Sequence, residues 1–118
     1  MDKIYQGQCH CGLVKFKVNL DLSRIGKCNC SLCKRRNANM AYVDETQFQL
    51  QTGAQALSKY QFNTQTAEHF FCNTCGIYTH HKPRTQKQTI AVNTACIDTL
   101  QLNKLVIKDI DGKSFEVI

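Results

Sequence analysis

The stretch KCNCSLCKRRN (residues 27–37) places three cysteines, Cys28, Cys30 and Cys33, within six residues. Three thiols this close can occupy three corners of a tetrahedral metal site, and Cys30 and Cys33 are a natural Cys-x-x-Cys pair at a helix start. The fourth corner decides what such a site is for. A protein ligand there makes it structural; an open position leaves the ion to a substrate.

Working outward, SLCKRRNAN (residues 31–39) reads as a short helix with Ser31 as its N-cap. Nearly everything else reads as strand. In LVKFKVNL (residues 13–20) the apolar Val14, Phe16, Val18 and Leu20 alternate with Lys15, Lys17 and Asn19, the pattern of a half-buried strand. MAYVDE, FQLQT, ALSKYQF, EHFFC, QTIAVN and KLVIKDI are further short runs rich in β-branched and aromatic residues, separated by turn signals such as Thr52-Gly53 and Asp111-Gly112. A second, very short helix is expected from Asn93 through TACIDTL. The fold class is therefore mainly β, with one or two short helices. At 118 residues the chain has the size of one domain, residues 1–118.

The remaining cysteines come in pairs. FFCNTCGIY (residues 70–78) is a Cys-x-x-Cys followed by glycine, the zinc-knuckle form, in which backbone N–H groups can point at the first sulfur. CHCG (residues 9–12) is a tighter pair, and cysteines at i and i+2 of an extended segment face one way. One partition closes Cys9, Cys11, Cys72 and Cys75 into a structural zinc site and leaves Cys28, Cys30 and Cys33 together. Another would join Cys9 and Cys11 to Cys28 and Cys30, with Cys33 beside Cys72 and Cys75 and Cys96 as the candidate fourth ligand. The first is favoured because the second splits Cys30 from Cys33 between two ions.

Five side chains offer a fourth ligand to the trio, and each also has an ordinary role. His10, between two ligands on an extended segment, points away from their metal. His69 reads as a partly exposed strand residue and Cys96 as a small buried one. His80 and His81 are adjacent on a strand and face opposite ways. None has local ligand spacing, so the trio reads as an open, catalytic zinc with three protein ligands. Three thiolates make that zinc a weak Lewis acid, better suited to a substrate thiol than to activating water. Arg35 and Arg36, nearby on the helix, would favour an acidic thiol.

Composition narrows the setting. No run of eighteen apolar residues is present, and the N-terminus lacks an apolar targeting segment, so a reducing cytoplasm is expected, where clustered cysteines signal metal or redox chemistry rather than disulfides. The formal charge of +6 falls to about +3 once seven ligated thiolates and two Zn²⁺ are included. The basic residues are also scattered, so a nucleic-acid partner is not expected.

In order along the chain, GQCHCG, KCNCSLCKRRN, LQTG, YQF, HFFCNTCGIYTHH, VNTACID and DIDGKSFE resemble the glutathione-dependent formaldehyde-activating enzyme (GFA) family, the CENP-V/GFA domain of Mss4-like fold. The resemblance spans nearly the whole chain. It implies stacked antiparallel sheets, a structural zinc on Cys9, Cys11, Cys72 and Cys75, and an exchangeable second zinc on Cys28, Cys30 and Cys33. It also implies carbon–sulfur lyase chemistry: reversible formation of S-hydroxymethylglutathione from glutathione and formaldehyde. A proton for the oxygen is expected from His80, His81 or Tyr42, which the sequence does not separate. The competing readings are a non-catalytic zinc module that binds protein or nucleic acid, and a thiol or redox sensor built on the labile trio.

Overall fold

The computed structural model describes residues 3–62, 64–84 and 87–115. Antiparallel strands β1 (Lys3–Gln8), β2 (Lys15–Leu20) and β5 (Phe48–Thr52) form a three-stranded sheet in the order β1-β2-β5. The other strands are β3 (Ile25–Cys28), β4 (Met40–Asp44), β6 (Leu57–Tyr60), β7 (Glu68–Cys72), β8 (Tyr78–Lys82), β9 (Thr89–Asn93) and β10 (Lys108–Ile110). They make a seven-stranded sheet in the order β10-β3-β4-β9-β8-β7-β6. Its pairings are antiparallel except for β10 with β3.

The alternation read in β2 is the observed one: Phe16, Val18 and Leu20 are buried. With Ile25, Ala41, Val43, Ile90, Val92 and Ile97 they form the main core, on which Phe48 packs. Burying such side chains contributes about 1.5–3 kcal/mol each. β8 is a middle strand between β9 and β7, and Tyr78, Thr79, His80 and His81 are all buried.

β8 also carries an irregularity. His80 pairs with Phe70, but Tyr78 pairs with Phe71, so Thr79 is an extra residue on the β8 side. A bulge of this kind breaks the strict alternation of side chains. His80 accordingly packs between Phe48 and Phe70, with ring centroids 4.6 and 4.8 Å away, whereas Tyr78 lies with His81 and His69. The Tyr78 carbonyl accepts from Asn93 Nδ2 at 2.8 Å and from Cys96 Sγ at 3.5 Å.

Three expectations are corrected. The helix α1 spans Ser31–Arg36, and its N-cap is Cys30 rather than Ser31. The Cys30 sulfur accepts from the Cys33 N–H at 3.4 Å, so a would-be metal ligand also serves as the cap. The expected second helix is only a single 3₁₀ turn, Thr94–Cys96, capped by Asn93. KLVIKDI yields strand only at Lys108–Ile110, because β10 is a three-residue edge strand beside β3 and the preceding Val106 is 83% exposed. No helix among the described residues is long and apolar enough to cross a membrane.

Candidate metal centre

The turn after β1 carries Cys9 and Cys11, and the end of β7 and its following turn carry Cys72 and Cys75. Their four sulfurs lie within 4.8 Å of one another. Four sulfurs around a tetrahedral zinc at about 2.3 Å stand about 3.8 Å apart. Cys9 and Cys11 are separated by 3.6 Å and Cys11 and Cys72 by 3.7 Å, so the donor set fits such an ion. The N–H groups of Val14 and Thr74 donate to Cys9 and Cys72 at 3.3 and 3.4 Å, and N–H donors of this kind favour the thiolate. The Cys11 N–H, with a further contribution from that of Ile77, draws Cys75 down to about 6. Both turns close with a glycine at positive φ, 83° at Gly12 and 80° at Gly76, which a side chain would strain. Because β1 and β7 belong to different sheets, a metal here would tie the two sheets together.

Cys28 ends β3, Cys30 caps α1 and Cys33 lies in its first turn. Their sulfurs form a second cluster within the same 4.8 Å limit, and among the described residues no fourth histidine, cysteine or carboxylate joins it. The Cys30 N–H donates to Cys28 Sγ at 3.5 Å. The loop after β10 closes over the cluster. Asn29 ties it down, donating through Nδ2 to Asp111 at 3.2 Å and accepting the Lys113 N–H at 2.9 Å. A β-carbon on Gly112 would stand 2.4 Å from Cys28 Sγ, so this glycine is part of the cradle. Hydrogen bonds with Cys30 and Cys33 pull Cys28 far down, and those with Cys28 and Cys30 push Cys33 far up.

The trio opens onto a cleft of about 780 Å³. Tyr42, His69, His81, Phe62 and Ile110 line it, with Arg24, Arg84 and Lys108 adding positive charge. His81 and Tyr42, two of the expected proton donors, are therefore on its wall. The third, His80, faces the core and hydrogen-bonds Thr79 Oγ1 at 2.8 Å. His10 is exposed. Cys96 joins neither cluster; it is buried, and burial raises its thiol to about 12.

His69 requires correction: it is 4% exposed, not partly exposed, because β7 is an interior strand between β6 and β8. It packs against its cross-strand partner His81, with centroids 4.8 Å apart and the ring planes tilted by 32°. Arg35 lies exposed along its own helix, donating to the Ser31 carbonyl at 2.9 Å. Arg36 instead places its guanidinium 3.8 Å over the Tyr78 ring. Sequence reading missed Tyr78, Asn93 and Gly112. The Asp-Gly turn of DIDGKSFE was visible, but nothing local tied it to Cys28; Glu116 of that motif lies outside the described residues.

A family model for the glutathione-dependent formaldehyde-activating enzyme matches residues 4–109. The chain is also similar to a Rhodobacter sphaeroides protein known from a crystal structure. Identity is 37%, the match covers 89% of this chain and 99% of the other, and the TM-score is 0.83.

Proposed function

Given that the chain belongs to the glutathione-dependent formaldehyde-activating enzyme family, we propose that it is a zinc-dependent carbon–sulfur lyase-like enzyme that reversibly joins a thiol to an aldehyde. Glutathione and formaldehyde are the family's pair. Residues 1–118 act as one CENP-V/GFA-type domain in a reducing cytoplasm. The carrying observation is the asymmetry of the clusters: four sulfurs at the junction of the sheets, three at a cleft. In this reading Cys9, Cys11, Cys72 and Cys75 hold a structural zinc, and Cys28, Cys30 and Cys33 hold a second.

When bound at the trio, zinc would supply a position that takes a substrate sulfur as thiolate. The chain's own residues do the rest. The N–H groups of Cys30 and Cys33 stabilise charge on the trio, and the loop at Gly112 covers one side of it. Arg24, Arg84 and Lys108 favour an anionic thiol compound, and the aromatic wall limits water around the reacting carbon.

Two measurements test the reading. Metal analysis should find two zinc ions per chain, one of them removable by a mild chelator and protected by glutathione. NMR exchange with glutathione and formaldehyde should run above the spontaneous rate in the loaded protein and fall to it in Cys30→Ser. No acceleration, together with no effect of thiols on the second metal, would refute it.

A further inference from the structure

On the wall of the cleft that it shares with the three sulfurs, His81 is held in an unusual way. The Tyr78 hydroxyl bonds His81 Nδ1. His69 packs tilted against the imidazole, and Arg36 covers the Tyr78 ring. We propose that His81 is the hydrogen-bond donor to the substrate oxygen, offering Nε2–H to the carbonyl or hydroxyl on the carbon that bears the sulfur. This deepens the thiol–aldehyde reading above and rests on it.

The direction assigned to the Tyr78–His81 bond sets the tautomer. Burial, ahead of the Cys33 charge, raises the Tyr78 phenol well above its ordinary range, so it keeps its proton. Among the described residues His81 Nδ1 is the acceptor within reach of that proton, and assigning it so leaves the ring's own proton on Nε2. Among the described residues Nε2 has no hydrogen-bond partner, although His81 lines the cleft shared with Cys28, Cys30 and Cys33. A donor fixed in advance and aimed where oxygen gains charge is the arrangement that favours a transition state over a ground state. The Arg36 charge over Tyr78 adds to it without touching the substrate. His69 contributes packing; its own Nδ1 is buried with no partner.

The step balances without changing His81. In the forming direction a sulfur lone pair makes the C–S bond and the carbonyl π pair moves onto oxygen, which His81 hydrogen-bonds. The thiol proton leaves to water and a proton from water reaches the oxygen. Cleavage is the reverse.

The test uses the full-length, zinc-loaded chain with two probes, 2-mercaptoethanol and ethanethiol, which differ by a hydroxyl. Calorimetry gives the affinity ratio in the unmodified protein, His81→Phe, His81→Gln and Tyr78→Phe. The hydroxyl preference should drop by about 3- to 10-fold in His81→Phe, fall partway in Tyr78→Phe and be partly kept in His81→Gln, whose amide can donate. In ¹⁵N imidazole spectra His81 should be the Nε2–H tautomer, with Nε2 shifted by 2-mercaptoethanol and not by ethanethiol. If both thiols bind with the same ratio in His81→Phe as in the unmodified protein, the inference fails and the thiol site stands. If neither binds, both fall. Should His81→Phe not fold, the spectra of the unmodified protein decide: an Nδ1–H tautomer, or an Nε2 indifferent to the hydroxyl, overturns the assignment.

Discussion

Gly112 and Cys28 are in such close approach that a single added carbon would collide with the sulfur at 2.4 Å. The loop cannot simply lift away, since Asn29 holds Asp111 and Lys113 on either side of the glycine. Gly112→Ala should therefore displace the Cys28 sulfur. We expect zinc affinity at the trio to drop by at least about 10-fold, the effect of roughly 1.4 kcal/mol, with the first metal retained. Competition against a graded chelator measures this; equal retention of both metals would show that the loop yields.

The two clusters should differ sharply in what they do for stability. A structural zinc contributes about 10–16 kcal/mol, as much as the whole stability of an ordinary domain. Cys72→Ser removes a fully buried thiol of the four-sulfur cluster at the junction of the sheets and should leave the chain unfolded near room temperature. Cys30→Ser should stay folded, losing the second metal and at most about 1 kcal/mol of capping, since serine is itself a good N-cap. Thermal unfolding followed by circular dichroism separates the two, and the opposite order would reverse the assignment of roles.

His80 predicts a defined acid sensitivity. Burial, with a smaller effect from Lys82, lowers its imidazole to about 4, against about 6.5 in an unfolded chain. Between these values the unfolded state binds the extra proton, so stability is full above about pH 6.5 and is lost as pH falls toward 4. The slope from this group is at most about 1.4 kcal/mol per pH unit. Urea unfolding of His80→Gln should show a flatter decline over that window than the unmodified protein. Parallel curves would mean that the histidine is already protonated in its pocket.

The carbonyl of Tyr78 depends on Asn93. Of the two side chains that donate to that buried carbonyl, Asn93→Ala removes the amide and leaves the weak Cys96 thiol, a change costing about 1–3 kcal/mol. It also frees the Asn93 side chain's contact with the Ala95 N–H at 3.1 Å. The Tyr78–His81 bond should loosen as well, visible as broadening of the His81 imidazole signals. Cys96→Ser, by contrast, should keep both metals, since Cys96 belongs to neither cluster.

Much of the site was legible because it is local. Cys30 and Cys33 are joined by one helical turn, Cys72 and Cys75 by one tight turn, and strand alternation explains why His80 and His81 part company. The same locality set its limits. His69 reads as partly exposed because an amphipathic segment does not announce whether it is an edge or an interior strand, and β6 and β8 flank β7 on both sides. The cap residue was misassigned for a related reason: Cys30 has an extended backbone and offers its sulfur to the helix only because that sulfur is turned inward with its neighbours.

By itself the sequence determined the mainly β character, the cysteine groups that could share an ion, and the separation of His80 from His81, all consequences of short spacings acting through helical and strand periods. Only the tertiary structure decided that Tyr78 would join His81 rather than His80. Alternation holds while the hydrogen-bond ladder is unbroken. The extra residue at Thr79 is set by how β8 registers against β7, with the Tyr78 carbonyl taken up by Asn93 from the end of β9. Gly112 met Cys28 in the same way, through the pairing of β10 with β3. Such contacts join residues far apart in the chain, and no local period encodes them.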